Sequence, residues 1–150
     1  MTQLESARAG VITPQMSHVA ADEGIAPEKI AELVAKGLIV IPANAGRARA
    51  LYHGIGKNLR VKVNANIGTS PMNDSIDAEL EKLRVSVSLG AEAVMDLSIA
   101  GKIRETRRQV LAHSPVMVGT VPVYQAMSEH GGRLADVTGE HMIASIREHA

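Results

Sequence analysis

Three short runs of mainly apolar residues, each ending in a loop, alternate with amphipathic stretches in the second half of the chain. The runs VKVNANIG, AEAVMDLS and VMVGTVPVYQA are typical of buried parallel strands. Helices are predicted between and after them, over 75–89, 102–113 and about 138–149. The first of these helices places one apolar stripe on the sheet: Ile76, Leu80, Leu83 and Val87. Strands that alternate with helices of this length predict right-handed βαβ units.

The first part of the chain follows a different pattern. Residues 1–36 are predicted to be helical, with helix starts at Thr13-Pro14 and at Pro27. LIVIPA (38–43) predicts a short buried strand, and the glycine-containing stretch 44–58 predicts a loop. We therefore expect two regions, a helical lead-in with a short strand over 1–56 and a βα region over 57–150.

Composition excludes several classes of protein. The 150 residues contain 16 basic and 16 acidic side chains, so no basic surface suggests a nucleic-acid partner. The first residues do not resemble a secretory signal, and no apolar run is long enough for a membrane helix, so we expect a cytoplasmic protein without membrane contact. Cysteine is absent, which excludes thiolate ligands and a cysteine nucleophile within these residues. Phe and Trp are absent as well, which favours the aliphatic core of a parallel sheet.

Two α/β architectures accommodate such units. A doubly wound sheet usually has a glycine-rich phosphate turn after its first strand, and Gly68-Thr69-Ser70 does not match GxGxxG. A (β/α)8 barrel of the TIM type, of which about three β/α units are present, fits at least as well. Enzymes with this barrel use the carboxyl ends of the strands.

Three residues occupy those strand ends, one β/α unit apart. They are Asn66, Met95 and Tyr124. Asn64 shares a face with Asn66, so the two amides either satisfy each other and their neighbours or bind a ligand. A methionine in a strand is usually core filler, and Tyr124, in a predicted loop after Pro122, could contact a heterocycle or close the rim.

Other polar residues have simpler interpretations. Asp96 and Ser98 point opposite to Met95 and are expected to hold a loop. The repeated dipeptide at Gly68-Thr69 and Gly119-Thr120 fits ordinary turns better than a phosphate site. The six histidines lack metal-ligand spacing and are expected at the surface or at helix caps. Arginines in the second helix predict a solvated face with local ion pairs; the group is Arg104, Arg107 and Arg108, with Glu105.

Several long motifs carry a family resemblance. VNANIGTS, SLGAEAVMDLS and SPVMVGTVPVYQA, with TQLESARAGVITPQM and VIPAN upstream, resemble in order and spacing the first part of the catalytic barrel of the phosphomethylpyrimidine synthase family. These radical S-adenosylmethionine lyases of the ThiC type make the thiamine pyrimidine. The resemblance implies conversion of aminoimidazole ribotide to hydroxymethylpyrimidine phosphate, with Asn66, Met95 and Tyr124 as substrate-binding residues. The paralogous 5-hydroxybenzimidazole synthases of cobamide synthesis are similar through the same motifs.

The resemblance also implies cofactors that these residues do not bind. The family uses a [4Fe-4S] cluster, S-adenosylmethionine and zinc, and its zinc histidines and CxxCxxxxC motif lie further along the chain. We therefore expect a fragment that is inactive alone and that belongs to a homodimer when full length. The stretch NAGRARALYHGIGKN departs from the family pattern. A short non-catalytic protein that binds a ligand or assembles with another chain is the third interpretation, after the two synthases.

Overall fold

The computed structural model describes residues 1–43 and 51–150, which form two compact units. One unit comprises Met1–Lys62 with Pro115–Met117, and the other comprises Val63–Ser114 with Val118–Ala150. The first unit contains helices α1 (Gln3–Arg8), α2 (Pro14–Glu23) and α3 (Pro27–Ala35) and strands β1 (Ile39–Val40) and β2 (Ile55–Gly56). The second contains β3 (Asn64–Ile67), α4 (Ile76–Ser88), β4 (Ala93–Asp96), α5 (Ile103–His113), most of β5 (Met117–Thr120), α6 (Pro122–Glu129) and α7 (Gly139–His149).

Three short helices enclose the core of the first unit. Both predicted helix starts are confirmed, because α2 has Pro14 at its beginning and the Thr13 side chain accepts from Met16 N, and α3 begins at Pro27. Proline fits there since its missing N–H lies in the first turn, where helical N–H groups lack partners anyway. The buried side chains come from all three helices, from β1 and from the residue that follows it: Ala7, Met16, Val19, Ala20, Ile30, Leu33, Val34, Ile39 and Ile41.

The predicted strand over 38–43 is shorter in the structure, and part of the predicted loop is a strand. Only Ile39 and Val40 form β1, which pairs antiparallel with Ile55 and Gly56 of β2. Gly56 has φ +147° and lies so close to Leu38 O that a Cβ atom would overlap it. Gly56 is needed because β1 lies so close to it, and this contact is visible only in the folded chain. From the sequence alone, the glycines of this stretch indicate a loop. Residues 44–50 of the predicted loop lie outside the described residues.

A three-stranded sheet in the order β3-β4-β5 organises the second unit. β3 and β4 are parallel, and α4 packs against both β3 and α5. The helices predicted over 75–89, 102–113 and 138–149 are confirmed as α4, α5 and α7, with side-chain N-caps from Ser75 to α4 and from Thr138 to α7. Within the predicted stripe of α4, Leu83 is buried and the other three residues are half-buried.

Two predictions in this unit are wrong. The segment after Pro122 is a helix, α6, with the proline at its first position, rather than a loop. The arginines of α5 do not all lie on a solvated face, because Arg107 is 5% exposed. Its partners come from residues far along the chain, which the local pattern of α5 does not reveal.

The fold is mixed α/β with a parallel sheet, as predicted. Closure of such units into a barrel, and the boundary near residue 57, stay predictions. In the part of the chain that the structure describes, none of the helices has the length and apolar character needed to span a bilayer.

Candidate functional site

Asn66 and Met95 are direct partners across two neighbouring strands. The register of the β3–β4 pair sets Asn66 opposite Met95 and Asn64 opposite Ala93. Strands in a sheet lie about 4.8 Å apart, and paired residues of parallel strands share a face. The sequence-predicted amide and thioether therefore lie side by side, near the carboxyl ends of their strands.

Met95 extends this face toward the third strand. A Cβ atom built on Gly119 of β5 would lie 3.0 Å from Cγ and 3.6 Å from Sδ of Met95. The thioether thus runs over the position where any other residue would place a side chain. The interpretation of Gly119 as part of a turn is wrong, since it lies inside β5 and leaves room for Met95. Glycine does so because it has no side chain to occupy that face.

The side chains of Asn64 and Asn66 are joined on the exposed side of β3. Asn64 Nδ2 donates to Asn66 Oδ1 at 2.9 Å, which confirms that the two amides share a face. Both residues are exposed. Because this contact uses the oxygen of Asn66, its NH₂ group is the donor that Asn66 can offer to a ligand.

Tyr124 lies in the first turn of α6, shortly after the end of β5. It is half-buried, and its backbone N–H donates to Val121 O at 3.1 Å. The strand register brings Asn66 and Met95 together directly, whereas Tyr124 is related to them through the position of α6 after β5. Pro122 is the first residue of α6, so it fixes where the chain passes from β5 into the helix that carries Tyr124.

The opposite face of β4 holds the loops together. Ser98 donates to Asp96 Oδ1 from its backbone N at 3.0 Å and from its hydroxyl at 2.5 Å. Thr69 N donates to Ser98 Oγ at 3.0 Å, and Thr69 Oγ1 donates to Ala100 O at 2.7 Å. Asp96 and Ser98 are buried, as is Thr69 at 1% exposure. These residues therefore tie the β3–α4 loop to the β4–α5 loop, in agreement with the structural interpretation of Asp96.

A polar cluster joining α5, α6 and α7 is not apparent in the sequence. Gln125, next to Tyr124, is 1% exposed and accepts from Arg107 Nη1, while its Nε2 donates to Glu148 Oε2 at 2.8 Å. Nε2 of His149 lies 2.7 Å from Arg107 Nη1, and Nδ1 of the same ring lies 2.8 Å from the Thr120 hydroxyl. These contacts fix the helix that carries Tyr124.

Burial and charge shift the pKa values in this cluster. Burial, followed by the nearby Arg107 guanidinium, lowers the pKa of His149 below its ordinary value. Burial also lowers the pKa of Arg107. Hydrogen bonds from Arg104 and Gln125 lower the pKa of the Glu148 carboxyl. These shifts follow from burial and from the charges that the fold brings together in this cluster.

The histidines occupy helix ends, exposed or half-buried positions and, for His53, a buried position. His113 and His130 contact carbonyls of their own helices, and His141 completes a capping box with Thr138. These three follow the prediction. His53 is 9% exposed, so the surface prediction is wrong for this residue. Burial of this kind depends on residues that are distant in sequence, so the local spacing of the histidines does not predict it.

The candidate site consists of side chains that can hydrogen-bond and pack. The Asn66 amide and the Met95 thioether lie side by side near the carboxyl ends of two parallel strands, and the Tyr124 phenol follows the third strand in α6. These are features of α/β enzymes that bind small molecules at the carboxyl ends of parallel strands. The model of the radical SAM ThiC family matches residues 2–150, and the chain belongs to this family.

Named relatives agree with this assignment. The chain is 44% identical over 149 residues to the phosphomethylpyrimidine synthase of Clostridioides difficile (strain 630), a match that covers 99% of this chain and 34% of that protein. It is 48% identical to that of Moorella thermoacetica (strain ATCC 39073 / JCM 9320), covering 100% of this chain and 35% of the relative. That of Thermoanaerobacter sp. (strain X514) is 54% identical over 86% of the chain and 30% of the relative. The chain thus spans about a third of the length of its curated relatives.

Proposed function

We propose that this chain forms the substrate-binding first part of a phosphomethylpyrimidine synthase, which converts aminoimidazole ribotide to hydroxymethylpyrimidine phosphate. In this proposal residues 57–150 are the first three β/α units of a (β/α)8 barrel, and residues 1–56 form its lead-in. The complete protein is a cytoplasmic homodimer that acts in thiamine biosynthesis.

The observation that carries the proposal is the pairing of Asn66 with Met95. Two residues distant in sequence are opposite each other in register, with Gly119 leaving space for the thioether. Family membership supplies the activity, and this arrangement supplies a surface suited to its substrate. In our proposal the Asn66 amide donates to a polar substrate atom, while Met95 and Tyr124 pack against the imidazole ring.

The family's radical chemistry requires groups that these residues do not fit. Cysteine thiolates bind iron–sulfur clusters, and this sequence contains no cysteine. We therefore assign the [4Fe-4S] cluster, S-adenosylmethionine and zinc to the complete protein and derive no step through them here. The role that we assign to this chain is to bind and orient the substrate.

A chimeric protein tests the proposal. Residues 1–150 of this chain replace the matching third of the Moorella thermoacetica relative, since that match includes the whole of this chain. We expect the reconstituted chimera, assayed anaerobically with reductant and S-adenosylmethionine, to form the pyrimidine from aminoimidazole ribotide. Loss of one hydrogen bond to a substrate should cost about 1.5 kcal/mol, so Asn66→Ala should raise KM about tenfold.

Asn64→Ala is the matched comparison, because it removes an amide from the same face, further from the strand end. It should raise KM about threefold or less, since it only supports Asn66. An inactive chimera, or an Asn66→Ala chimera with unchanged KM and kcat, would refute the proposal. Formation of hydroxybenzimidazole in place of the pyrimidine would favour the paralogous synthase.

A further inference from the structure

Glu79 of α4 is a completely buried carboxylate beside the proposed substrate site. It is 0% exposed, although its neighbours in the sequence of α4 include exposed charged residues. Its Oε2 atom accepts from the backbone N–H of Gly68 at 2.6 Å, and its Oε1 atom accepts from Lys82 Nζ at 2.7 Å. Burial of a carboxylate is unfavourable unless hydrogen bonds satisfy it, so the Gly68 N–H and the Lys82 ammonium compensate for the burial of Glu79.

Gly68 is the point at which the chain leaves β3. It lies two residues after Asn66 and has φ +143°, and a Cβ atom there would lie 2.5 Å from Ser98 N. β3 is at the edge of the three-stranded sheet, and the Gly68 N–H bonds to the Glu79 side chain rather than to a strand. The helix α4 therefore holds the carboxyl end of β3 through one charge-assisted hydrogen bond.

We propose that Glu79 is a positioning residue for substrate binding: its bond to Gly68 N–H fixes the end of β3 and hence the placement of Asn66. This inference rests on the proposed function, in which Asn66 contacts the substrate. Binding groups must be held to within about 0.5 Å of their productive geometry, and a misplacement of about 1 Å can cost up to a hundredfold. Glu79 acts only through Asn66.

The same helix provides a matched control. Glu81 has a side chain that is 58% exposed, and it pairs with Arg84 one turn away on α4. It shares the chemical type and the helix of Glu79 but its ion pair lies on the surface. Substitutions of Glu81 therefore report what a change of carboxylate in α4 does without the contact to Gly68.

Two substitutions separate reach from charge. Glu79→Gln keeps the length of the side chain, and its amide oxygen can still accept from Gly68 N–H. Glu79→Asp keeps the charge but is one methylene shorter, so its carboxylate falls short of the 2.6 Å contact. A positioning contact predicts that substrate binding is retained in Glu79→Gln and weakened in Glu79→Asp.

We would measure KM and kcat for aminoimidazole ribotide with the chimera described above and the variants Glu79→Gln, Glu79→Asp, Glu81→Asp and Asn66→Ala. Glu79→Asp should raise KM about tenfold with kcat within about twofold, since misplaced binding groups weaken substrate contacts. Glu79→Gln should stay within about threefold of the parent, because its uncharged acceptor makes a weaker bond at the same place. Glu81→Asp should match the parent.

A second measurement tests the contact with Gly68 directly, so that the inference stays testable if Glu79→Asp does not fold. In ¹⁵N-labelled parent and Glu79→Gln chains, the Gly68 amide proton should move to lower chemical shift when its carboxylate acceptor becomes an amide, and Glu81→Gln should leave it in place. If Asn66→Ala raises KM while Glu79→Asp behaves like Glu81→Asp, the positioning role is overturned and the proposed function stands. If Asn66→Ala leaves KM unchanged, the substrate contact itself fails. An unmoved Gly68 resonance in Glu79→Gln would also overturn the inference.

Discussion

The substitution Gly68→Ala tests how closely β3 approaches β4 at the edge of the proposed site. Gly68 has φ +143°, which other residues adopt at a cost of about 1–3 kcal/mol. The new Cβ atom would also lie 2.5 Å from Ser98 N and 2.6 Å from Leu97 C. These are backbone atoms that cannot rotate away, so overpacking adds about 1–3 kcal/mol. We expect Gly68→Ala to lower the free energy of unfolding by about 2–6 kcal/mol.

Gly90→Ala is the matched control for the backbone component. Gly90 follows α4 with φ +94°, and a Cβ atom there meets nothing within 4 Å. It should therefore show only the conformational cost, about 1–2 kcal/mol. Urea unfolding of both variants, followed by circular dichroism, gives the comparison. Equal destabilisation by the two substitutions would refute the steric argument and with it the close approach of the two strands.

Two further predictions concern the cluster around Gln125. Arg107→Ala should destabilise the protein by about 2–3 kcal/mol, because it leaves the buried Gln125 oxygen without its arginine donor, whereas Arg104→Ala, whose side chain is 51% exposed, should cost about 1 kcal/mol or less. Equal losses in urea unfolding would contradict this. Because burial lowers the folded-state pKa of His149, the unfolded chain binds a proton more readily, so stability should fall as pH decreases through about 6.5. The loss between pH 7.5 and 5.5 should be smaller in His149→Gln, and identical losses would contradict the burial of a neutral ring.

Local signals account for the parts of the fold that the sequence predicts. Ser75 and Thr138 cap their helices through their own side chains, and helical spacing of apolar residues is visible without knowledge of the fold. The strand ends at Asn66 and Met95 follow from the alternation of βα units. These features depend on neighbours within a few residues, so one sequence reveals them.

Contacts between distant residues account for what the sequence does not predict. Gly119 is recognisable as the space for Met95 only when β4 and β5 lie side by side. In the sequence Arg107 resembles the other arginines of α5, and only the fold shows that it donates to Gln125 of α6. The burial of Glu79 likewise depends on the turn at Gly68, whose N–H needs an acceptor. The sequence shows which side chains can form hydrogen bonds, but only the tertiary structure shows which partners they have.

The crystal structure of the chimera with aminoimidazole ribotide bound tests the central claim most directly. We predict that the imidazole ring lies against Met95 and Tyr124, and that Asn66 Nδ2 lies within about 3.2 Å of a polar substrate atom. Substrate bound away from the carboxyl ends of β3 and β4, with these three side chains facing different edges of the sheet, would contradict the account.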